Sequence, residues 1–452
     1  MGKYFGTDGI RGLAGEDLTA DLALRLGRAL AEALGGSGRR FVVVGRDTRR
    51  SGTMLESALA AGLAAGGVDA RLVGVVPTPA VAWLTRHLGA AAGVMISASH
   101  NPAPDNGLKV FSGEGFKLPD EVEARLEELI DRAHDLSGVS GPAIGVIRQE
   151  SGILDAYEDH LAGLLPTGLK GWRIVVDTAH GAASGLAARV LGRMGAAVVP
   201  IGDAPDGDNI NEGCGSTQLA PLQAAVLEQE ADLGLAFDGD ADRCLAVAED
   251  GTQLDGDLLM LLCLRQGLAN GRWDRPDLVA TVMSNLGLEE AVQDLGGTLK
   301  RAKVGDRYVL EDMRAAGIGL GGEQSGHIID LSANTTGDGL VTALRVLEAL
   351  SAIEGPASRA RALLTIHPQL LRNVRVPSVQ GWDTHAAITE AIRQAEERLQ
   401  GQGRLLVRAS GTEPLIRVMA EGRDATLVQQ VVSDVCQAVA HALNPKGGKA
   451  WA

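Results

Sequence analysis

The feature that most limits the fold of this sequence is an alternation of short apolar runs with helical patterns. Three apolar runs in the first cycle have the length of buried strands: 41–44, 72–76 and 93–96. Helical patterns flank them at 20–34 and 119–134. The same alternation begins again at residue 173 and once more near residue 257. Because alternating strands and helices build sheets covered by helices, the sequence predicts three similar α/β domains.

The last part of the chain follows a different pattern. It contains three strand patterns and two helical patterns, at 371–376, 404–408, 416–420, 381–399 and 426–443. Fewer elements and shorter loops predict a smaller α+β domain. Because a chain of 452 residues is too long for one hydrophobic core, we expect four domains. Their predicted bounds are 1–150, 151–252, 253–366 and 367–452.

The charge balance and the cysteines argue against several classes of protein. The chain has 42 Lys and Arg against 57 Asp and Glu, a formal net charge of −15. An acidic chain does not suit nucleic acid or an anionic membrane surface, and no apolar run approaches the ~18 residues of a membrane helix. The four cysteines show no CxxC pairing. This favours free thiols, and we expect a cytoplasmic protein.

One loop offers a nucleophile. In GVMISASHNPAPDNGLKVFSGEGFKL the apolar start predicts a strand, and Ser99 follows in a turn. Two prolines stiffen the loop, a turn is predicted at Asn106-Gly107, and a short returning strand carries Lys109. A hydroxyl beside His100, with an ammonium within reach, suits a nucleophile or a phosphoryl carrier. The alternative is a turn that only connects two strands.

The segment DGDADR brings three carboxylates together. Asp238, Asp240 and Asp242 alternate, so that an extended or tightly turned loop can direct them at one point. Grouped carboxylates repel one another unless a hard divalent cation binds them. A calcium loop is excluded because its sixth position requires glycine and here holds Arg243. Mg²⁺ in contact with a phosphate is the favoured interpretation, and a solvated acidic turn is the alternative.

The segment RASGTEPLIRV suits a bound phosphate. Ser410, Gly411 and Thr412 offer hydroxyls and backbone N–H groups in a turn. Arg408 and Arg417 flank this turn, and guanidinium groups can bind phosphate oxygens in pairs. In an acidic protein a bound anion explains these donors better than a hairpin with two surface arginines.

The segment GGEQSGHI suits a polyol such as a sugar. Glu323, Ser325 and His327 alternate, so that a strand would direct all three side chains to one face. An isolated histidine is more often structural, but the neighbouring acid and hydroxyl favour binding. Four weaker candidates are each better explained as members of surface ion pairs: Arg11, Lys303, Asp306 and Arg307.

Taken together, six motifs in order over nearly the whole chain resemble the α-D-phosphohexomutase superfamily. They are FGTDGIRG, SASHNPAPDNGLK, DGDADR, GDRYV, GGEQSGH and RASGTEPLIRVM. The first and the last three are most similar to the bacterial phosphoglucosamine mutases. The resemblance implies three similar α/β domains with mixed sheets plus a smaller C-terminal α+β domain around a central cleft. It is also compatible with a homodimer.

The resemblance further implies a reaction. Phosphoserine at Ser99 would pass its phosphoryl group to glucosamine 6-phosphate, and the 1,6-bisphosphate would return its other phosphate and leave as glucosamine 1-phosphate. This is a step toward UDP-N-acetylglucosamine, and glucosamine or glucose 1,6-bisphosphate would act as activator. One Mg²⁺ per chain would be held by Ser99, Asp238, Asp240 and Asp242. The other implied roles form three groups: His100, Lys109 and Arg11 at the reacting oxygen; Glu323, Ser325 and His327 on the sugar; Arg408, Ser410, Gly411, Thr412 and Arg417 on the phosphate that does not react.

The sequence departs from the pattern of this superfamily at a few positions. Ala103-Pro104 stands where the superfamily commonly has bulkier residues, and Val110 stands where an aromatic residue is usual. Ala241 replaces a glycine, which would adopt positive φ at lower cost. Three other activities stay open: a phosphoglucomutase or phosphomannomutase, a metal-dependent sugar phosphatase, and a non-catalytic sugar-phosphate sensor. The sensor is disfavoured because Ser99 and the three aspartates are all present.

Overall fold

The computed structural model describes residues 2–6, 8–35, 40–136, 138–410 and 413–444. The chain divides into two compact units, Met1–Thr281 with Lys300–Arg361, and Val282–Leu299 with Ala362–Ala452. Mixed sheets with helices form the first unit, and a small antiparallel sheet with helices forms the second. The predicted class, α/β with a smaller C-terminal α+β part, is therefore confirmed. Among the helices of the described residues, none combines the length and the apolar character needed to cross a membrane.

A seven-stranded mixed sheet opens the first unit. Its strands are β1 (Phe5–Gly6), β2 (Gly9–Leu13), β3 (Phe41–Arg46), β4 (Asp69–Val75), β5 (Ala92–Ile96), β6 (Asp105–Ser112) and β7 (Ile147–Gln149). They lie in the order β1-β2-β6-β5-β3-β4-β7, in which β5, β3, β4 and β7 are parallel. Its helices are α1 (Ala20–Leu34), α2 (Gly52–Ala65), α3 (Thr78–His87) and α4 (Asp120–Asp131). Gly27 of α1 and Gly62 of α2 let the two backbones touch, because a methyl group on either would overlap the other helix.

The remaining sheets of the first unit are smaller and also mixed. The second contains β8 (Arg173–Asp177), β9 (Ala197–Ile201), β10 (Leu233–Phe237), β11 (Cys244–Ala248) and β12 (Gln253–Leu254), with α5 (Leu154–Gly163), α6 (Leu186–Arg193) and α7 (Ala220–Glu228). The third contains β13 (Leu278–Thr281), β14 (Leu299–Ala302), β15 (Leu320–Gly322) and β16 (Ile328–Asp330). Three helices of the first unit accompany this part of the chain, α8 (Gly256–Ala269), α10 (Asp306–Ala316) and α11 (Gly339–Ser351), whereas α9 (Leu286–Asp294) belongs to the second unit. The predicted repetition of α/β sheets is thus present.

Local polar contacts explain where several helices begin and end. The side chains of Thr19, Asp255 and Asp338 accept hydrogen bonds from the first turns of α1, α8 and α11. At the other end, α10 stops at Gly317, whose φ of 65° is left-handed.

The strand that returns from the Ser99 loop is longer than the sequence predicts. β6 begins at Asp105, so Asn106-Gly107 lies within a strand, and the predicted turn there is wrong. The Asn106 side chain is buried and donates to Ser51 Oγ at 2.8 Å, while Gly107 pairs with Arg11 of β2. These tertiary contacts outweigh the local preference of Asn-Gly for a turn.

The second unit has a three-stranded antiparallel sheet in the order β17-β19-β18. Its elements are β17 (Gln369–Arg375), α12 (Ala386–Leu399), β18 (Gly403–Ala409), β19 (Leu415–Gly422) and α13 (Ala425–Leu443). One apolar cluster joins the sheet to both helices and includes Val418, Ile388 and Val432. The hairpin between β18 and β19 carries the predicted phosphate-binding residues.

Candidate active site

The Ser99 loop connects the carboxyl end of β5 with β6. Ser99 is 2% exposed, and its backbone adopts a left-handed φ of 54°. Its Oγ donates a hydrogen bond to Asp238 Oδ2 at 2.6 Å. The predicted nucleophile and the predicted metal-binding loop are therefore in direct contact, although 139 positions separate them in the sequence.

The DGDADR loop joins β10 and β11 and is buried. One carboxylate oxygen from each of Asp238, Asp240 and Asp242 lies within 4.8 Å of the other two. Asp240 Oδ1 accepts no hydrogen bond from any described residue, although buried polar atoms normally have partners. Three buried carboxylates with an unused oxygen fit a hard divalent cation. Ala241 adopts a φ of 56°, the left-handed conformation for which glycine was expected.

Cations of the protein offset part of this negative charge. Lys109 Nζ lies 2.7 Å from Asp240 Oδ2 and 3.3 Å from Asp242 Oδ2. Burial favours a neutral Lys109, but the two carboxylates hold its pKa above the usual value. Burial and the neighbouring aspartates raise the pKa of Asp238 to about 8. Burial would also raise the pKa of Asp242, but Lys109 and His327 hold it well below its usual range.

His327 lies between two carboxylates. Its Nδ1 is 3.4 Å from Asp242 Oδ1, and its Nε2 is 3.5 Å from Asp306 Oδ2. Although burial opposes the charged form, the two carboxylates raise the pKa of His327 to about 9. Lys117 Nζ in turn lies 2.6 Å from Asp306 Oδ2. Asp306 thus forms an ion pair, as favoured from the sequence, but the pair is mostly buried in a charge network and not at the surface.

Glu323 and Ser325 do not lie on a strand. Residues 323–327 form the turn between β15 and β16, so the predicted alternation on one strand face is wrong. Gly326, with a φ of 91°, makes this turn possible. Ser325 Oγ is 3.3 Å from Glu323 Oε2, and both residues are half-buried, whereas His327 is buried. The turn still lies beside the metal-binding loop, because Cys244 N donates to Gly326 O at 3.0 Å.

His100 and Arg11 lie on the Ser99 side of the site. His100 Nδ1 is 3.4 Å from Ser99 Oγ. Burial, followed by the nearby charges of Arg243 and Arg11, lowers the pKa of His100 to about 4. The imidazole is therefore neutral at pH 7. The buried Nε of Arg11 has no hydrogen-bond partner among the described residues.

Other supporting candidates have different surroundings. Arg307 forms ion pairs with Asp120 and Glu123, as favoured from the sequence, although its own side chain is mostly buried. Lys303 lies over the Tyr308 ring, with Nζ 5.6 Å from the ring centroid. No contact joins either cation to Ser99 within the part of the chain that the structure describes.

Sequence reasoning missed Thr78 and Lys117. Thr78 begins α3, and its Oγ1 donates to Asp240 Oδ2 at 2.5 Å. Thr78 follows β4, and in α/β sheets ligands bind beyond the carboxyl ends of the strands. Position after a predicted strand was therefore a signal for Thr78. Lys117 follows β6, and only the tertiary structure brings it to Asp306.

The hairpin of the second unit concentrates positive charge. Arg408 and Arg417 face each other directly across β18 and β19. Arg417 Nε is buried and has no hydrogen-bond partner among the described residues. Burial, together with the charge of Arg417, lowers the pKa of Arg408. Ser410 is buried at the end of β18, while Gly411 and Thr412 lie outside the described residues.

Profiles of one protein family match four successive parts of the chain. Those described as Phosphoglucomutase/phosphomannomutase alpha/beta/alpha domains I, II and III match residues 2–136, 155–251 and 255–365. The profile of the C-terminal domain of the same family matches residues 371–438. The matches occur in chain order and cover most of the sequence.

Curated proteins and solved structures agree with this assignment. A phosphoglucosamine mutase of Desulforudis audaxviator is 52% identical over 97% of this chain and 98% of its own length. A phosphoglucosamine mutase of Rhodospirillum rubrum is 51% identical over 96% of this chain and 98% of its own length.

Two solved structures extend the comparison to the fold. A phosphoglucomutase/phosphomannomutase family protein of Burkholderia thailandensis superposes with a TM-score of 0.83 at 26% identity, covering 98% of both chains. Aspergillus fumigatus N-acetylphosphoglucosamine mutase, solved with GlcNAc-6P and magnesium, has the same fold at 19% identity, with a TM-score of 0.68 and coverage of 98% and 96%. The chain belongs to the phosphoglucomutase/phosphomannomutase family.

Proposed function

We propose that this protein interconverts glucosamine 6-phosphate and glucosamine 1-phosphate through a phosphoserine at Ser99 and a 1,6-bisphosphate intermediate. The observation that carries the proposal is the 2.6 Å contact between Ser99 Oγ and Asp238 in a buried carboxylate cluster. The names of the curated relatives, at about half identity over nearly the full chain, support the choice of amino sugar.

In the first half-reaction the bond between phosphorus and Ser99 Oγ breaks while a bond forms to a sugar hydroxyl. The proton of that hydroxyl passes to a protein group, and Ser99 Oγ gains a proton in return. Neutral His100 can accept a proton, whereas Lys109 and His327 are charged and can donate one or stabilise negative charge. After the bisphosphate turns over, the same steps in reverse return the other phosphoryl group to Ser99.

We assign Mg²⁺ to Asp238, Asp240 and Asp242, with an oxygen of phosphorylated Ser99. When bound, the ion would supply positive charge against the transferring phosphoryl group; positioning and electrostatic stabilisation provide most of the catalysis in such transfers. The charge of Arg11 acts on His100 and Lys109, and Arg11 can stabilise negative charge near them. Glu323 and Ser325 are assigned to the sugar hydroxyls.

The hairpin of the second unit is assigned to a substrate phosphate that does not react. Arg408 and Arg417 supply the charge, and Ser410, Gly411 and Thr412 are the proposed donors of hydroxyl and backbone N–H groups. Two arginines in direct opposition are unfavourable unless an anion lies between them. A bound phosphate therefore accounts for the arrangement.

Four domains are proposed, at 1–150, 151–252, 253–366 and 367–452. Each segment contains one sheet, except that β12 at Gln253–Leu254 pairs with the second sheet. The cytoplasmic location, the homodimer and the activation by a 1,6-bisphosphate stay predictions.

The experiment is intact mass before and after glucose 1,6-bisphosphate, with Ser99→Ala as the matched control. We expect one added phosphate on the wild type, none on the variant, and isomerisation of glucosamine 6-phosphate with Mg²⁺. Faster turnover of glucose or mannose 6-phosphate would reassign the sugar, and steady release of inorganic phosphate would indicate a phosphatase. No phosphate on Ser99 under any treatment would overturn the mechanism.

A further inference from the structure

The backbone at Ser99 has an unfavourable conformation that requires stabilising contacts from its surroundings. A left-handed φ is disfavoured for any residue with a Cβ, by about 1–2 kcal/mol. Ser99 nevertheless adopts a φ of 54° in a loop without helix or strand structure. Such conformations persist when the surroundings fix them, and they cluster at functional sites.

A buried guanidinium lies directly beneath this loop. Arg49 is 1% exposed, and its Nε donates to Asp47 Oδ2 at 3.0 Å. Its Nη2 donates to Ser99 O at 3.0 Å and to Asn101 O at 2.8 Å, and its Nη1 donates to Pro102 O at 2.5 Å. One side chain thus binds three carbonyl oxygens within four consecutive residues.

The same network holds the amide of Ser99. Ser97 Oγ donates to Asp47 Oδ2 at 2.5 Å and accepts from Ser99 N at 2.9 Å. Both backbone polar groups of Ser99 are therefore tied to the Asp47–Arg49 pair. With N–H and C=O fixed, the direction of the Cα–Cβ bond, and hence the reach of Oγ toward Asp238, is also fixed.

A second donor acts from the other side of the loop. Asn211 Nδ2 donates to Ser99 O and to Asn101 O, each at 2.9 Å. Gly239 of the metal-binding loop also packs against Ser99 O, so closely that a methyl group there would overlap it. The carbonyl of Ser99 is enclosed by Arg49, Asn211 and the metal-binding loop.

We propose that Arg49 is a positioning residue for phosphoryl transfer, which holds the Ser99 loop in the one conformation that directs Oγ at the carboxylate cluster. Arg49 touches no reacting atom, so its effect passes through the backbone of Ser99. A lysine has the same charge but cannot reproduce a planar fork that binds a carboxylate and three carbonyls. The proposal rests on the proposed function of Ser99.

The test compares Arg49→Lys with Arg345→Lys. Arg345 is a matched control, because it is also buried, pairs with Asp330 at 2.9 Å and donates to the Leu164 carbonyl at 3.2 Å. For each variant we would measure thermal unfolding, kcat and KM for glucosamine 6-phosphate, and the rate of Ser99 phosphorylation by glucose 1,6-bisphosphate. The ³¹P resonance of phosphorylated Ser99 reports the loop geometry directly.

We expect both variants to lose stability, but only Arg49→Lys to lose catalysis. A displacement of about 1 Å at a reacting group costs about 10²-fold, so kcat and the phosphorylation rate should fall by that factor while KM stays near the wild-type value. The ³¹P resonance should shift in Arg49→Lys and not in Arg345→Lys. Wild-type kcat and an unshifted resonance in Arg49→Lys would overturn the proposal.

A second variant covers the case in which Arg49→Lys does not fold. Asn211→Gly removes the other donor to Ser99 O, and glycine tolerates the φ of 62° found at this position. Loss of its hydrogen bonds should lower kcat by about 10-fold; unchanged kcat would show that transfer tolerates a less restrained Ser99 carbonyl, and this would overturn the proposal that the carbonyl is held in place for catalysis. If the wild-type protein takes up no phosphate, the proposed function is wrong. If the wild-type protein takes up phosphate and the variants have no effect, only the role of Arg49 is wrong.

Discussion

The Ser99 site and the β18–β19 hairpin differ in how their charges are compensated. In the Ser99 site, Lys109 lies within 3.3 Å of two aspartates, and His327 lies between two carboxylates. In the hairpin, Arg408 faces Arg417, and no described residue accepts a hydrogen bond from Arg417 Nε. The first region contains its own counter-charges, whereas no carboxylate among the described residues forms an ion pair with Arg408 or Arg417. Compensated charges suit proton and phosphoryl transfer, whereas two facing arginines without such a partner suit a bound anion.

The largest expected effect tests the compensation in the Ser99 site. In Lys109→Met two buried aspartates lose their cation, and breaking a buried ion pair typically costs about 3–5 kcal/mol. We expect the free energy of unfolding without Mg²⁺ to fall by that amount in urea titrations. Lys300→Met is the control, because Lys300 pairs with Asp312 at the surface and should cost about 0–1 kcal/mol. Equal losses for the two variants would contradict the comparison.

Removal of a positive charge from the β18–β19 hairpin should not destabilise the protein. Arg408→Gln removes one of two facing charges, so stability should stay unchanged or rise by up to about 1 kcal/mol. Because a hydrogen bond to a charged group contributes about 1.5–3 kcal/mol, KM for the sugar phosphate should rise about 10- to 100-fold. Arg393→Gln, on α12 of the same unit, should leave KM unchanged, because Arg393 is exposed and pairs with Glu390 and Glu397 of its own helix. An unaltered KM in Arg408→Gln would contradict the assignment of a substrate phosphate to this hairpin.

A smaller effect concerns protons in the Ser99 site. With a pKa of about 8, Asp238 holds a proton at neutral pH in the metal-free protein, and this proton must leave when Mg²⁺ binds. Mg²⁺ binding measured by calorimetry should therefore weaken about tenfold from pH 7 to pH 6 and lose this dependence above pH 8. Equal affinity at pH 6 and pH 8 would contradict the raised pKa.

The raised pKa of Asp238 also determines how the free energy of unfolding of the metal-free protein changes with pH. The ordinary pKa of an aspartate is 3.8, so between about pH 4 and pH 8 the folded metal-free protein binds a proton that the unfolded chain does not. Its contribution to stability therefore falls as pH rises through this window. Added Mg²⁺ should raise the melting temperature more at pH 8 than at pH 6.

The sequence predicted the chemistry of the Ser99 site better than its geometry. Comparison with relatives confirms the family, and the structure brings Ser99 and the aspartates together as expected. The turn predicted at Asn106-Gly107 was wrong because pairing of β6 with β2 outweighed the local preference. The strand predicted at 323–327 was wrong because this segment turns between β15 and β16. Arg49 was not identified, because a buried arginine beneath a loop leaves no periodicity or spacing in the sequence.

The smallest expected effect tests whether the Ser99 site depends on each backbone detail. Ala241 is fully buried with a φ of 56°. In Ala241→Gly, relief of the left-handed conformation contributes about 1–2 kcal/mol. Two effects destabilise the variant: loss of a buried methyl group costs about 0.8 kcal/mol, and the added entropy of the unfolded chain costs about 0.5–1 kcal/mol.

These terms nearly cancel, so the free energy of unfolding should change by less than about 1 kcal/mol, and Mg²⁺ affinity should stay close to that of the wild type. Urea unfolding and calorimetry measure both quantities. A large loss of Mg²⁺ affinity would mean that the methyl group restrains the three aspartates. The Ser99 site would then depend on the conformation of the metal-binding loop as well as on its compensated charges.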